Sequence, residues 1–60
     1  MESVKCNFYV KRQAIDYDYK YSYSRNFKTM DHFRTHIKHL HNWKIEIYES
    51  DGEFIIKMED

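Results

Sequence analysis

The spacing of apolar residues in this chain changes twice, and those changes constrain the fold more than any single motif. Val4, Cys6, Phe8 and Val10 recur every second residue, as in a strand with one covered face. Met30, Phe33, Ile37 and Leu40 recur at three- and four-residue steps, which lays one apolar stripe along a helix. Ile45 and Ile47, then Phe54, Ile56 and Met58, return to the two-residue rhythm. A single helix, read from Phe27 to Trp43, therefore separates two strand-forming segments. The predicted fold is α+β with the order β-β-α-β-β. Two antiparallel hairpins form one antiparallel sheet or two adjoining ones, with the helix packed across.

The second hairpin is specified locally. Asp51-Gly52 between two alternating runs is a preferred pair for a two-residue type I′ turn, in which both central residues take positive φ. That turn sets Ile47 opposite Ile56 and Ile45 opposite Met58 on one face. On the other face it sets Glu46 by Lys57, Lys44 by Glu59 and Tyr48 by Ile55, so charges match and an apolar pair is left on the outer side.

The first hairpin is read from alternation alone. Ile15, Tyr17, Tyr19, Tyr21 and Tyr23 share one face, and pairing around Gln13 and Ala14 sets Val10, Phe8, Cys6 and Val4 against the four tyrosines in turn. Lys11 then lies beside Asp16. Arg12 to Ile15 holds no Gly, Asn or Asp, so a four-residue loop is expected rather than a tight turn. Exposed tyrosines on a sheet, with Lys and Arg nearby, can stack single-stranded nucleic acid. With few other large residues in this half, the expectation is that these rings line the core under the helix. Cys6 reads as a small buried apolar residue.

Thr29 is placed to cap the helix, Asp31 suits its positive end, and Asn42 is a suitable stop. His32, His36 and His39 share a face beside the apolar stripe, and His41 falls nearer the stripe itself. Imidazoles four residues apart can hold a transition metal. No Glu lies between His32 and His36, so the zinc-protease helix motif is absent, and a solvent-facing polar strip is the expectation. The spacing Phe27, Phe33, His36, His41, in the run HFRTHIKHLH, resembles the second half of a C2H2 zinc finger. The likeness covers about residues 19–42. The cysteine positions of that family fall on Lys20 and Tyr23, or after a small shift on Tyr21 and Ser24, so two of four zinc ligands are present. The resemblance implies metal-free ββα packing and puts base-reading positions at Thr29, His32 and Thr35. These lack the forked Arg and Asn contacts that read bases. Contact with phosphates through Lys20, Arg25, Lys28, Arg34 and Lys38 is what it leaves.

Sixty residues are read as one domain, 1–60, which buries only about 60% of its unfolded surface. One cysteine forms no internal disulfide, and a reducing, cytoplasmic setting is expected. No apolar run approaches the ~20 residues of a membrane span, and MESVKCNFYV has no apolar core after a basic start, so neither membrane insertion nor a signal peptide is expected. Net charge is zero but unevenly spread. Lys20, Arg25, Lys28, Arg34, Lys38 and Lys44 face only Asp31 in the middle of the chain, and residues 45–60 hold six acids against Lys57. A single glycine rules out a Gly-rich phosphate loop, and no base is patterned around a nucleophile. The expected function is a small non-enzymatic binding module, without cofactor or metal, acting on a partner protein. An inhibitor, adaptor or antitoxin-like regulator, of a size suited to a compact viral genome, fits this description. Its contact residues are expected to be His32, Arg34, Thr35, Lys38, His39, Tyr48 and Ile55, and pairing as a homodimer would cover free sheet edges. The alternative is a zinc-less, finger-like nucleic-acid binder using the five cations above.

Overall fold

The computed structural model describes residues 3–12 and 16–60. Strand β1 (Val4–Lys11) and strand β2 (Lys20–Phe27) precede helix α1 (Met30–Lys38), and strands β3 (Lys44–Ser50) and β4 (Glu53–Glu59) follow it. The α+β class and the element order are those expected. The four strands form one sheet in the order β2-β1-β4-β3. Each hairpin is antiparallel, but β1 and β4 meet in the middle in parallel, so the sheet is mixed rather than antiparallel. The helix is the cause. It carries the chain back along the sheet, so β3 restarts at the end where β2 began, β4 runs alongside β1, and the two hairpins fuse into one layer.

In the second hairpin every expected pair is present, from Lys44 with Glu59 to Tyr48 with Ile55. Asp51 and Gly52 have φ of 53° and 77°, the positive values that a type I′ turn demands.

The first hairpin departs from its expected register. Phe8 pairs with Tyr23, not Tyr19; Cys6 pairs with Arg25, not Tyr21; and Val4 pairs with Phe27, not Tyr23. The register slips between Phe8 and Tyr9, after which Tyr9 pairs with Tyr21 and Val10 with Lys20. Ser22 is the extra residue of this bulge. Because side chains alternate strictly along a strand, one extra residue reverses the faces beyond it. Tyr23 lies under the helix, stacked on Phe8 at 4.4 Å, whereas Tyr21 lies on the far face, edge-on to Tyr9 at 5.7 Å. The tyrosines therefore do not form a common core row, and Tyr17 is 96% exposed. The expected Lys11–Asp16 pair is absent too. Asp16 accepts the Arg12 N–H at 3.1 Å, donates its own N–H to the Arg12 carbonyl at 3.0 Å, and binds Lys20 at 3.1 Å. The expected turn at Gln13 and Ala14, and Ile15 beside it, lie outside the described residues.

The helix is shorter than the periodicity suggested. Phe27 closes β2, residues 39–42 form turns, and Trp43 packs against the core. Thr29 caps the helix by accepting the His32 N–H at 3.2 Å, and Asp31 occupies the first turn. Phe33 fills the core, flanked by Ile37 and Leu40, while Met30 at the first position is 39% exposed and drops out of the expected stripe. Cys6, Phe8, Phe27, Ile56 and Met58 complete the buried set between helix and sheet.

Candidate functional site: the helix-free face of the sheet

The only helix among the described residues packs against the face carrying Cys6, Phe8 and Ile56, which leaves the opposite face of the sheet open. Strand alternation places Lys5, Asn7, Tyr9 and Lys11 on that face, next to Glu53, Ile55 and Lys57 of β4. Tyr48 and Glu46 of β3 extend it to one border, and Ser24 with the bulge-reversed Tyr21 extends it to the other.

A directed chain of hydrogen bonds organises the β2–β1–β4 side. Ser24 donates to Asn7 Oδ1 at 2.7 Å, so Tyr21 is the donor in its 2.7 Å contact with Ser24. Asn7 Nδ2 donates to Glu53 at 3.0 Å, and Lys5 binds the other carboxylate oxygen at 3.0 Å. The Lys5 bond first, and then Asn7, hold the Glu53 carboxyl below its ordinary pKa, so the chain ends on a stable anion. On the β4–β3 side cations lie on aromatic rings. Lys57 Nζ stands 5.4 Å from the Tyr19 ring centre and 5.1 Å from that of Tyr48, and Lys11 stands 5.8 Å from Tyr19. Tyr19 donates to Glu59 at 3.4 Å and Tyr48 to Glu46 at 2.9 Å. Desolvation of Tyr19 and the Glu46 bond to Tyr48 each raise the phenol pKa, which keeps both phenols neutral donors. Between these two groups lies an open groove of ≈ 350 Å³ lined by Tyr9, Asp18, Tyr19, Ile55 and Lys57.

The expected contact residues fall on two surfaces, not one. His32, Arg34, Thr35, Lys38 and His39 are exposed on the helix, whereas Tyr48 and Ile55 lie across the sheet from it. No flat partner surface touches both sets. Tyr9, Tyr19 and Tyr21 join Tyr48 and Ile55 instead, so Tyr19 and Tyr21 lie outside the core row expected of them. The one available signal was the repeated tyrosine itself, which suits a half-exposed sheet as well as a core.

The cations of the nucleic-acid alternative are also unequal. Lys20 is tied to Asp16, and the Arg25 guanidinium lies 5.3 Å from the Phe27 ring centre. Lys28, Arg34 and Lys38 are exposed. Among the described residues no three His, Cys, Asp or Glu side chains come together as a metal site. Burial pushes the Cys6 thiol up to about 11, so it is a packing group and not a nucleophile.

His36 overturns the polar-strip expectation. Its ring turns in from the helix, edge-on to Phe8 at 5.4 Å and 5.2 Å from Phe27, with Nε2 standing 2.9 Å from the Tyr23 hydroxyl. Tyr23 thus holds His36 in place by a hydrogen bond. Desolvation, followed by the charges of Arg25 and His39, lowers the His36 pKa below its ordinary 6.5. A group that binds its proton less readily when folded favours unfolding on acidification. The stability it contributes is complete above about pH 6.5 and is lost as pH falls toward the lower folded value. Urea midpoints of the native chain should therefore drop between pH 7 and 5.5, and His36→Gln should flatten that dependence. An equal drop in the variant would assign the effect to other groups.

No protein-family model matches this chain, and no curated protein or solved structure matches it either.

Proposed function

We propose that this chain is a binding module that docks a partner protein on the helix-free face of its sheet, centred on Tyr9, Tyr21, Tyr48 and Ile55. The observation that carries this reading is the neutralised, aromatic character of the face. Lys5 is paired with Glu53, Lys57 is lodged between Tyr19 and Tyr48, and Glu46 and Glu59 each accept from a tyrosine. Few free cations remain for phosphates. What is offered is tyrosine, with an apolar ring and a polar tip, the residue type enriched where proteins meet proteins. Tyr21 and Tyr48 are 59% and 49% exposed, so a partner has apolar area to cover. The chain acts by occupying its partner, as an inhibitor, adaptor or antitoxin-like regulator does, and performs no chemistry itself.

Partner capture by the native chain should be lost in Tyr21→Ala combined with Tyr48→Ala, with the fold intact by circular dichroism. It should persist in Arg34→Ala combined with Lys38→Ala. The reverse result would move the site to the helix. One observation favours a second reading: Lys28, Arg34 and Lys38 are all exposed on the helix side, and a nucleic acid could contact them through its phosphates. DNA or RNA binding that weakens steeply with salt would support it, and no binding at low salt would remove it.

A further inference from the structure

Strand β3 is incompletely covered on both of its faces at the same place. Ile47, on the helix side, is 44% exposed, and its neighbour Tyr48, on the open side, is 49% exposed. β3 is a border strand, and among the described residues it pairs only with β4. Alternate N–H and C=O groups along its free edge therefore point away from the sheet, ready to pair with another strand. The opposite border, β2, carries the bulge at Ser22, a common device for making an edge unsuited to pairing. β3 has no such device. Its register with β4 is unbroken from Lys44 to Ser50, and it contains neither proline nor glycine. The edge strand is also acidic in sequence: β3 and its turn hold Glu46, Glu49 and Asp51 against Lys44. While Glu46 stands opposite Lys57 of β4, Glu49 stands opposite Phe54.

We propose that the β3 edge accepts an extended segment of the partner protein rich in lysine or arginine, which adds a fifth strand to the sheet. This rests on the partner-docking reading above and names the partner's chemistry. Backbone pairing supplies a regular set of hydrogen bonds, as in other strand-addition complexes. Alternate side chains of the incoming strand cover Ile47 on one face and Tyr48 on the other. Glu46 lies on the open side with Tyr48, and Glu49 on the helix side with Ile47. The basic residues of an alternating strand therefore lie beside one or the other according to its register, and opposite charges across neighbouring strands are favourable. A second copy of β3 fits less well. Antiparallel pairing about Ile47 sets Glu49 beside Ile45 and the two Glu46 carboxylates at diagonal positions, and pairing about Ile45, which sets Lys44 beside Glu46, overlaps only residues 44–46 of each strand. A second copy's β2 is basic but bulged.

The test uses the full chain, isotope-labelled, with two short synthetic peptides, one alternating valine with lysine and the other valine with glutamate. The lysine peptide should shift the backbone amides of residues 44–50 and slow their hydrogen exchange. It should bind about tenfold more tightly than the glutamate peptide at low salt, and this gap should narrow as salt rises. Glu46→Lys with Glu49→Lys should invert the preference. Equal binding of both peptides, shifts confined to the helix or to Tyr9 and Tyr21, or no binding would overturn the proposal. So would slowed exchange of these amides on concentrating the chain alone, since the occupant would then be a second copy. Tyr21→Ala separates the two ideas: it should weaken docking on the open face while leaving the lysine peptide's effect on β3 in place.

Discussion

Phe8→Ala should leave the chain largely unfolded at room temperature. Phe8 is fully buried at the centre of β1 and meets three partners across the core: Tyr23 at 4.4 Å, His36 at 5.4 Å and Phe27 at 6.5 Å. Truncating a buried phenylalanine to alanine costs about 3–5 kcal/mol, through lost transfer energy and the cavity left behind. A domain of this length has a total stability of only about 3–9 kcal/mol. The loss is of the same size as the reserve. No disulfide is present to hold the sheet while the core gives way, because Cys6 is free and itself buried. Thermal and urea unfolding followed by circular dichroism would show it, with Phe8→Leu as the milder control that keeps most of the volume. A loss below about 1 kcal/mol in the alanine variant would mean that the core is not centred where Phe8 places it.

The contrast between the two hairpins shows what the sequence carried. The β3–β4 register was legible because its determinants are local: Asp51-Gly52 sets the turn, and each cross-strand pair then follows from counting outward. The β1–β2 register was not, because several registers satisfy the same pattern. Tyrosine at 17, 19, 21 and 23 is amphipathic, so apolar alternation does not say which of the four belongs under the helix. The parallel pairing of β1 with β4 was hidden for a different reason. It joins residues more than forty positions apart, such as Asn7 and Glu53, and no short-range rule reports it. The functional face inherited both uncertainties. Tyr48 and Ile55 were found because they belong to the legible hairpin, whereas Tyr9, Tyr19 and Tyr21 were missed because their placement depends on the bulge and on the central parallel pair. For His36, spacing gave the helix face approximately, but only packing shows that Tyr23 draws the ring inward.

Deleting single serines from β2 should separate these influences sharply. Ser22 has no partner residue on β1, and its removal leaves Tyr21 and Tyr23 adjacent. Adjacent residues on a regular strand point to opposite faces, which is where these two tyrosines already point. Strand β2 can then pair with β1 without a bulge, and stability should change by no more than about 1 kcal/mol in either direction. Deleting Ser24 shortens the chain equally but has the opposite consequence. If Phe27 stays opposite Val4, Ser22 moves opposite Phe8 and Tyr23 is turned onto the open face, so the ring stacked on Phe8 and the hydroxyl beside His36 are both lost. If Tyr23 stays opposite Phe8, Phe27 is displaced from the buried cluster instead. The first route removes a half-buried ring packed against the core and the second removes a ring of the six-residue buried cluster itself, so each should cost about 3 kcal/mol or more. The measurement is a pair of urea denaturation curves followed by circular dichroism. Equal destabilisation by the two deletions would show that the bulge does not set the faces of β2, and the assignment of Tyr21 to the docking surface would fall with it.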